Sequence, residues 1–169
     1  MLRATEVRSR SHWPQGEARG TITLDYDTRH RRRLTLASDA GEPFLLDLPR
    51  TEVLREGDGL ALSDGTWLEV KAAAEPLLEV RAATPELLMR LAWHLGNRHL
   101  PAAIEADRLL IRDDHVIAAM LEGLGANLRR VKVPFTPEGG AYNAGAGHQH
   151  GHHHHEHDHH HDHDHDDHS

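Results

Sequence analysis

The sequence predicts an α+β protein. It divides into a small all-β domain over residues 1–74, a ferredoxin-like βαββαβ domain over residues 75–142, and a disordered tail rich in histidine and aspartate over residues 143–169. Three observations predict this. The first 74 residues alternate apolar and polar side chains with the period of two that half-buried strands require. From Glu75-Pro76 onward the pattern becomes strand, helix, strand, strand, helix, strand. From His148 to the end there is no apolar residue at all.

In the first part, Ile22, Leu24 and Tyr26 alternate with Thr21, Thr23 and Asp25, and Leu34 and Leu36 with Arg33 and Thr35, which reads as antiparallel β structure. The clearest hairpin joins Leu60–Ser63 to Thr66–Val70 around Asp64-Gly65, two residues that tolerate the positive φ angles of a tight turn. Pro43, Pro49 and Gly57-Asp58-Gly59 divide the rest into short strands of a sandwich or barrel-like module.

In the second part, Leu77 to Arg81 is a first strand. Thr84 can cap a helix with Pro85 at its first position and Leu87, Leu88, Leu91 and Leu95 on its apolar face. Gly96-Asn97 should end that helix, since both residues tolerate the left-handed conformation found at helix C-termini. Ala102 to Ala106 and Leu109 to Arg112 are two short strands. Asp114 can cap a second helix to about Leu124, and Leu128 to Val133 closes the split βαβ order. After Pro134-Phe135-Thr136-Pro137 the chain passes through Gly and Ala into the histidine tail. That tail has too little apolar surface to offset the entropy of ordering, so it is expected to be disordered without metal.

Composition narrows the chemistry. The formal net charge of −8 is uneven: six of the 27 acidic residues lie in the tail, leaving 21 against 19 basic residues in the rest. Cations are the natural ligands of such a tail, and nucleic acid is excluded as a partner both by this charge and by aromatics too sparse, at 4%, for base stacking. With no cysteine, thiolate metal sites, disulfides and cysteine nucleophiles are ruled out, so any metal is held by nitrogen and oxygen. No stretch approaches the roughly 20 apolar residues of a membrane span, and Met1–Glu6 has no signal-peptide core, which predicts a cytoplasmic protein without membrane contact. The chain has no H-E-x-x-H, P-loop or Gly-x-Ser-x-Gly motif, so no enzyme is expected.

Thirteen of the 18 histidines stand in the tail: His148, His150, His152, His153, His154, His155, His157, His159, His160, His161, His163, His165 and His168. Neutral imidazole suits nickel, zinc and copper, and the interleaved carboxylates balance the cation's charge. Ligands at one- and two-residue spacing on a flexible chain can wrap several ions, so binding is expected to be multiple and exchangeable. Composition does not choose among Ni(II), Zn(II) and Cu(II). An interrupted pattern, whose longest run is His152–His155, is unlike a purification tag, and a merely solvating tail would need no histidine.

A second constellation is His94, His99 and His115. His94 and His99 are five residues apart, about 140° around a continuous helix, and do not form a two-histidine clip; His94 reads as a packed or half-exposed helix residue. His99 follows the helix break, where its side chain can project outward. One histidine is a poor site, but two copies across a dimer axis, with ligands from the tails, would make one. His115, beside Asp113 and Asp114, is a secondary ligand candidate whose plainer reading is an exposed first-turn residue. His12 and His30, in basic surroundings at Arg8–Arg10 and Arg29–Arg33, receive no role.

Three segments together resemble the urease accessory UreE family: His94-Leu95-Gly96-Asn97-Arg98-His99-Leu100-Pro101, Pro134-Phe135-Thr136-Pro137-Glu138-Gly139-Gly140-Ala141-Tyr142, and the terminal histidine tail. The first half is similar more loosely, through Asp47-Leu48-Pro49-Arg50-Thr51 and Leu54-Arg55-Glu56-Gly57-Asp58. The resemblance implies a β domain that engages protein partners, a metal-binding ferredoxin-like domain, and a homodimer formed through the latter, with His99 contributing to a nickel site shared between subunits. It further implies delivery of Ni(II) to the urease apoenzyme through a complex with a GTPase and other accessory proteins. The rival function is a histidine-rich nickel, zinc or copper store. One departure stands out. Where some relatives carry a histidine pair, this chain has Arg112-Asp113-Asp114-His115, which leaves an auxiliary site on His115 open.

Overall fold

Alternating side chains build six strands in the first half of the chain. In the computed structural model, which describes residues 1–139, β1 spans Leu2–Arg8, β2 Ala18–Leu24, β3 Arg33–Ala37, β4 Pro43–Asp47, β5 Gly59–Leu62 and β6 Trp67–Ala72. They form one sheet in the order β2-β6-β5-β1-β4-β3. The sheet curls until its edge strands approach each other at Asp39, whose amide donates to the Thr21 carbonyl (2.9 Å). Inside the curl, Ala4, Ile22, Phe44, Leu46, Leu54, Leu60, Leu68 and Val70 are buried together.

Two sequence expectations are corrected here. The sheet is not purely antiparallel: β1 pairs with β4, and β2 with β6, in parallel. Side-chain alternation is the same in both kinds of pairing and therefore carries no direction. Tyr26 is not in a strand either. The Asp25 carboxylate accepts the Thr28 amide (2.8 Å), ending β2 at Leu24 and opening a four-residue helix, α1, Tyr26–Arg29.

The expected hairpin forms. Gly65 takes a positive φ of 84°, the Leu62 amide donates to the Thr66 carbonyl (2.9 Å), and the Asp64 carboxylate accepts the Thr66 amide (3.0 Å).

The second sheet comprises β7 (Ala74–Arg81), β8 (Ala102–Ile104), β9 (Leu109–Arg112) and β10 (Asn127–Pro134), with α2 (Pro85–Asn97) after β7 and α3 (His115–Gly123) after β9. Its order, β10-β7-β9-β8, is antiparallel throughout and is that of a ferredoxin-like fold. β8 is shorter than the sequence predicts, because the Glu105 amide donates to the Arg108 carbonyl (3.0 Å) and turns the chain. Both helices cover one face: Leu91, Leu95 and Leu121 pack on Leu78, Val80, Leu109 and Ile111. Each fully buried leucine contributes about 2 kcal/mol of apolar transfer.

The other face holds α1. Tyr26 and Phe135, with rings edge to face at 5.3 Å, pack beside Leu77, Ala103 and Leu110. The Tyr26 amide donates to Glu75 Oε2 (2.9 Å), and Arg112 pairs with Asp27 (2.7 Å). Arg29 is wholly buried. It donates to the Leu54 carbonyl (3.3 Å) and to the Phe135 carbonyl, while its Nε has no partner among the described residues. Burial lowers the pKa of its guanidinium.

Further along this face Glu79 is covered by three guanidinium groups, from Arg81 (3.0 Å), Arg108 (2.8 Å) and Arg129 (3.1 Å). Their hydrogen bonds, Arg81 first, hold its carboxyl at about 2, against an ordinary 4.5. A carboxyl with a depressed folded-state pKa contributes stability that is complete above its unfolded value and lost as pH falls toward its folded value. The wild-type chain is therefore expected to lose stability between pH 4.5 and 2, and Glu79→Gln to flatten that acid limb. Urea unfolding midpoints at pH 6 and pH 3 measure it; equal pH dependence in both proteins would contradict the role given to Glu79.

Candidate metal centre

Local sequence decides where α2 begins. Thr84 Oγ1 accepts the Leu87 amide (3.1 Å), Pro85 occupies the first turn, and Leu91 and Leu95 are buried on the core side. Its end differs from expectation. The helix runs through Gly96 and Asn97, and the left-handed residue is His99, at φ 56°. The His99 amide donates to the Gly96 carbonyl (3.0 Å) and the Leu100 amide to the Leu95 carbonyl (3.3 Å), the paired bonds of a Schellman motif.

That motif also wants an apolar residue after the left-handed one, packed back on the helix. Leu100 supplies it by packing into the cluster that contains Leu95, and Pro101 prevents continuation. A left-handed Gly96 or Asn97 would have placed polar Asn97 or Arg98 in that position. Core packing thus puts a histidine where glycine is ordinarily found. Among the described residues it is the one non-glycine with positive φ, a conformation that costs a side chain roughly 1–2 kcal/mol.

The His99 side chain is exposed and stands at the C-terminal end of α2, where the last carbonyls carry partial negative charge that favours a cation. His94 lies within the helix, half-buried, its ring edge-on to Trp93 at 5.1 Å. On the outer face of α2, Met89 is 66% and Trp93 64% exposed. Beside them a recess of about 330 Å³ runs between α2 and the β8 end, lined by Leu88, Met89, Ala92 and Ile104.

His115 is the first residue of α3, exposed, at a helix N-terminus whose partial positive charge opposes a cation. Its neighbouring carboxylates are already engaged: Asp114 accepts the Val116 and Ile117 amides (2.8 and 3.1 Å), and Asp113 pairs with Arg130 (2.9 Å). His12 bonds to Ser9 Oγ (2.6 Å), and His30 Nδ1 lies 3.2 Å from the Tyr26 carbonyl. The tail histidines, His148 to His168, lie outside the described residues.

Among the described residues no three histidine, aspartate or glutamate side chains stand together as a metal cage. His99 therefore needs ligands from elsewhere to hold an ion. The Glu138 amide donates to the Ala102 carbonyl (2.9 Å), tying the chain that precedes the tail to a point three residues from His99. No helix of the described residues is long and apolar enough to cross a membrane.

Comparison with known proteins accounts for both halves of the chain. The family model of the UreE urease accessory protein N-terminal domain matches residues 3–73, and that of the C-terminal domain residues 75–165. The urease accessory protein UreE of Bradyrhizobium sp. (strain ORS 278) is 56% identical over 142 residues, 84% of this chain and 67% of that protein. The UreE of Bradyrhizobium sp. (strain BTAi1 / ATCC BAA-1182) is 55% identical over 142 residues, covering 84% and 68%. That of Chelativorans sp. (strain BNC1) is 55% identical over 144 residues, covering 85% and 89%. With both halves matched in order and more than half of the aligned residues identical, the chain belongs to the UreE family of urease accessory proteins.

Proposed function

We propose that, within urease maturation, this chain is a metallochaperone that carries Ni(II) as cargo and delivers it for assembly of the urease active site. The observation that carries the reading is His99: an exposed imidazole at the negative end of α2, in a backbone conformation that glycine would adopt at less cost. Core packing of Leu100 sets the left-handed turn at this position, but glycine would fill that turn with less strain, and the choice of an exposed histidine instead supports a functional role for its imidazole.

In this reading two copies of the chain pair through the second sheet's domain, residues 75–142, and bring two His99 side chains together. The exposed Met89 and Trp93 on the same helix supply apolar surface for such a homodimer. The thirteen tail histidines collect ions and keep the shared site supplied. Nine residues lie between Glu138 and His148, a contour over the ten steps of at most about 36 Å. His115 is a secondary contact, disfavoured by its helix end. Zn(II) or Cu(II) would occupy the same ligands, and selectivity for nickel comes from availability and geometry. The β domain, residues 1–74, engages the urease accessory GTPase and the apo-urease complex in the cytoplasm. The chain hands over metal and catalyses no reaction.

A chain ending at Gly147 is expected to lose most of its nickel stoichiometry while keeping both sheets, since their strands and buried clusters are built from residues up to Phe135. Isothermal titration beside circular dichroism measures both; unchanged stoichiometry would sink the collecting role. Tail binding should also weaken as pH falls through the imidazole range near ~6.5, where protons compete for the ligand nitrogen. A metal store would share these properties but would not bind a urease-activation GTPase in a pull-down.

A further inference from the structure

We propose that the open end of β3 is a docking edge for an extended acidic segment of a partner protein, which adds to the six-stranded sheet as a further strand. The inference rests on reading the β domain as the partner-binding half of the chain, and it assigns a use to the Arg31-Arg32-Arg33 run, which metal binding leaves unexplained.

β3 has a sheet neighbour on one side only, β4. The Leu48 amide donates to the Arg32 carbonyl (2.9 Å) and the Ser38 amide to the Glu42 carbonyl (2.9 Å), with Leu34 opposite Leu46 and Leu36 opposite Phe44. In an antiparallel ladder this alternation turns the even-numbered residues toward β4 and leaves the amides and carbonyls of Arg33, Thr35 and Ala37 facing outward.

The fold closes one end of this edge and not the other. At the far end Asp39 clasps β2: its amide donates to the Thr21 carbonyl (2.9 Å), and its carboxylate accepts the Thr23 amide (2.9 Å) and the Thr23 hydroxyl (2.9 Å). Before that clasp Arg33, Leu34, Thr35 and Ala37 are all exposed, and at the near end Leu34 keeps 39% of its surface in water.

Charge selects the occupant. Arg31 and Arg32 are exposed and form no ion pair among the described residues, and Arg33 shares Asp47 with Arg3 (3.7 and 3.6 Å). Such an arginine run guards an edge against pairing with another copy, because the second copy would bring the same charge. The same charge favours a strand of opposite sign. A nucleic acid fits less well, since phosphates only accept hydrogen bonds and would leave the outward carbonyls unmatched, whereas a peptide backbone offers donors and acceptors alternately.

The test uses the full chain and a ten-residue peptide alternating Glu with Thr and Val, followed by amide NMR. The expected result is saturable shifts centred on Arg33–Ala37, with affinity reduced at least tenfold in the R31E/R32E double variant. The peptide with Lys for Glu, and one with Pro at alternate positions so that it cannot pair as a strand, should both bind at least tenfold more weakly. Absence of binding, equal binding by the Pro peptide, indifference to R31E/R32E, or equally strong binding of a single-stranded oligonucleotide at the same residues would each overturn the proposal. Nickel titration of R31E/R32E separates it from the chaperone reading: normal nickel uptake with no peptide binding removes the docking edge alone, and abnormal nickel uptake in the wild-type chain removes the chaperone reading instead.

Discussion

Replacing His99 by glycine is expected to make the chain more stable and worse at its task. Glycine adopts φ 56° without the clash between Cβ and carbonyl that a histidine meets there, so the end of α2 should gain about 1 kcal/mol. In a chain ending at Gly147, where the tail no longer masks the effect, the same change should weaken the tightest nickel site by at least roughly a hundredfold, since even residues that only support a ligand change affinity by 10–100-fold. His99→Ala removes the imidazole but keeps the Cβ, and should lose nickel without gaining stability. Nickel titration and urea unfolding of both variants give the answer. Unchanged tight binding in His99→Gly refutes the ligand, and equal stability of the Gly and Ala variants refutes the strain.

Replacing Arg29 by alanine should destabilise the chain by about 3 kcal/mol, from the hydrogen bonds lost to two buried carbonyls and the cavity left behind. Arg29 is wholly buried between the two sheets' domains, donating to the Leu54 and Phe135 carbonyls, with its guanidinium 5.7 Å from the centre of the Tyr26 ring. Burial opposes its charge, and no carboxylate pairs with it among the described residues. Arg29→Met fills the volume and removes the unpartnered Nε and the buried charge, so it should cost clearly less than Arg29→Ala. Urea unfolding of the two variants tests this. If the alanine variant matches wild type, or methionine is worse than alanine, the side chain is not the bolt between the two parts.

The α+β class was legible because its signals are local. Thr84 followed by Pro85, Asp114 before α3, Asp64-Gly65 and the change from period two to helical spacing each act within a few residues. Other features were not legible, because their causes lie far away along the chain. Glu79 reads as an outward polar residue of an alternating strand, yet arginines from β7, the turn before β9, and β10 cover it. Arg29 reads as one of a basic surface run, but Phe135, over a hundred residues later, closes over it. The parallel pairings of β1 with β4 and β2 with β6 leave no mark in side-chain alternation.

The candidate site divides along the same line. The sequence by itself determined the element types apart from α1, and it nominated the tail histidines and, together with the family resemblance, His99 as metal ligands, because propensity, capping and ligand chemistry belong to residue types at short spacing. Only the tertiary structure decided that His99, and not Gly96 or Asn97, takes the left-handed turn. The reason is that Leu100 has to reach the core shared by α2 and the second sheet. That demand for apolar burial outweighs the local preference for glycine or asparagine, and it leaves an exposed imidazole at the helix end.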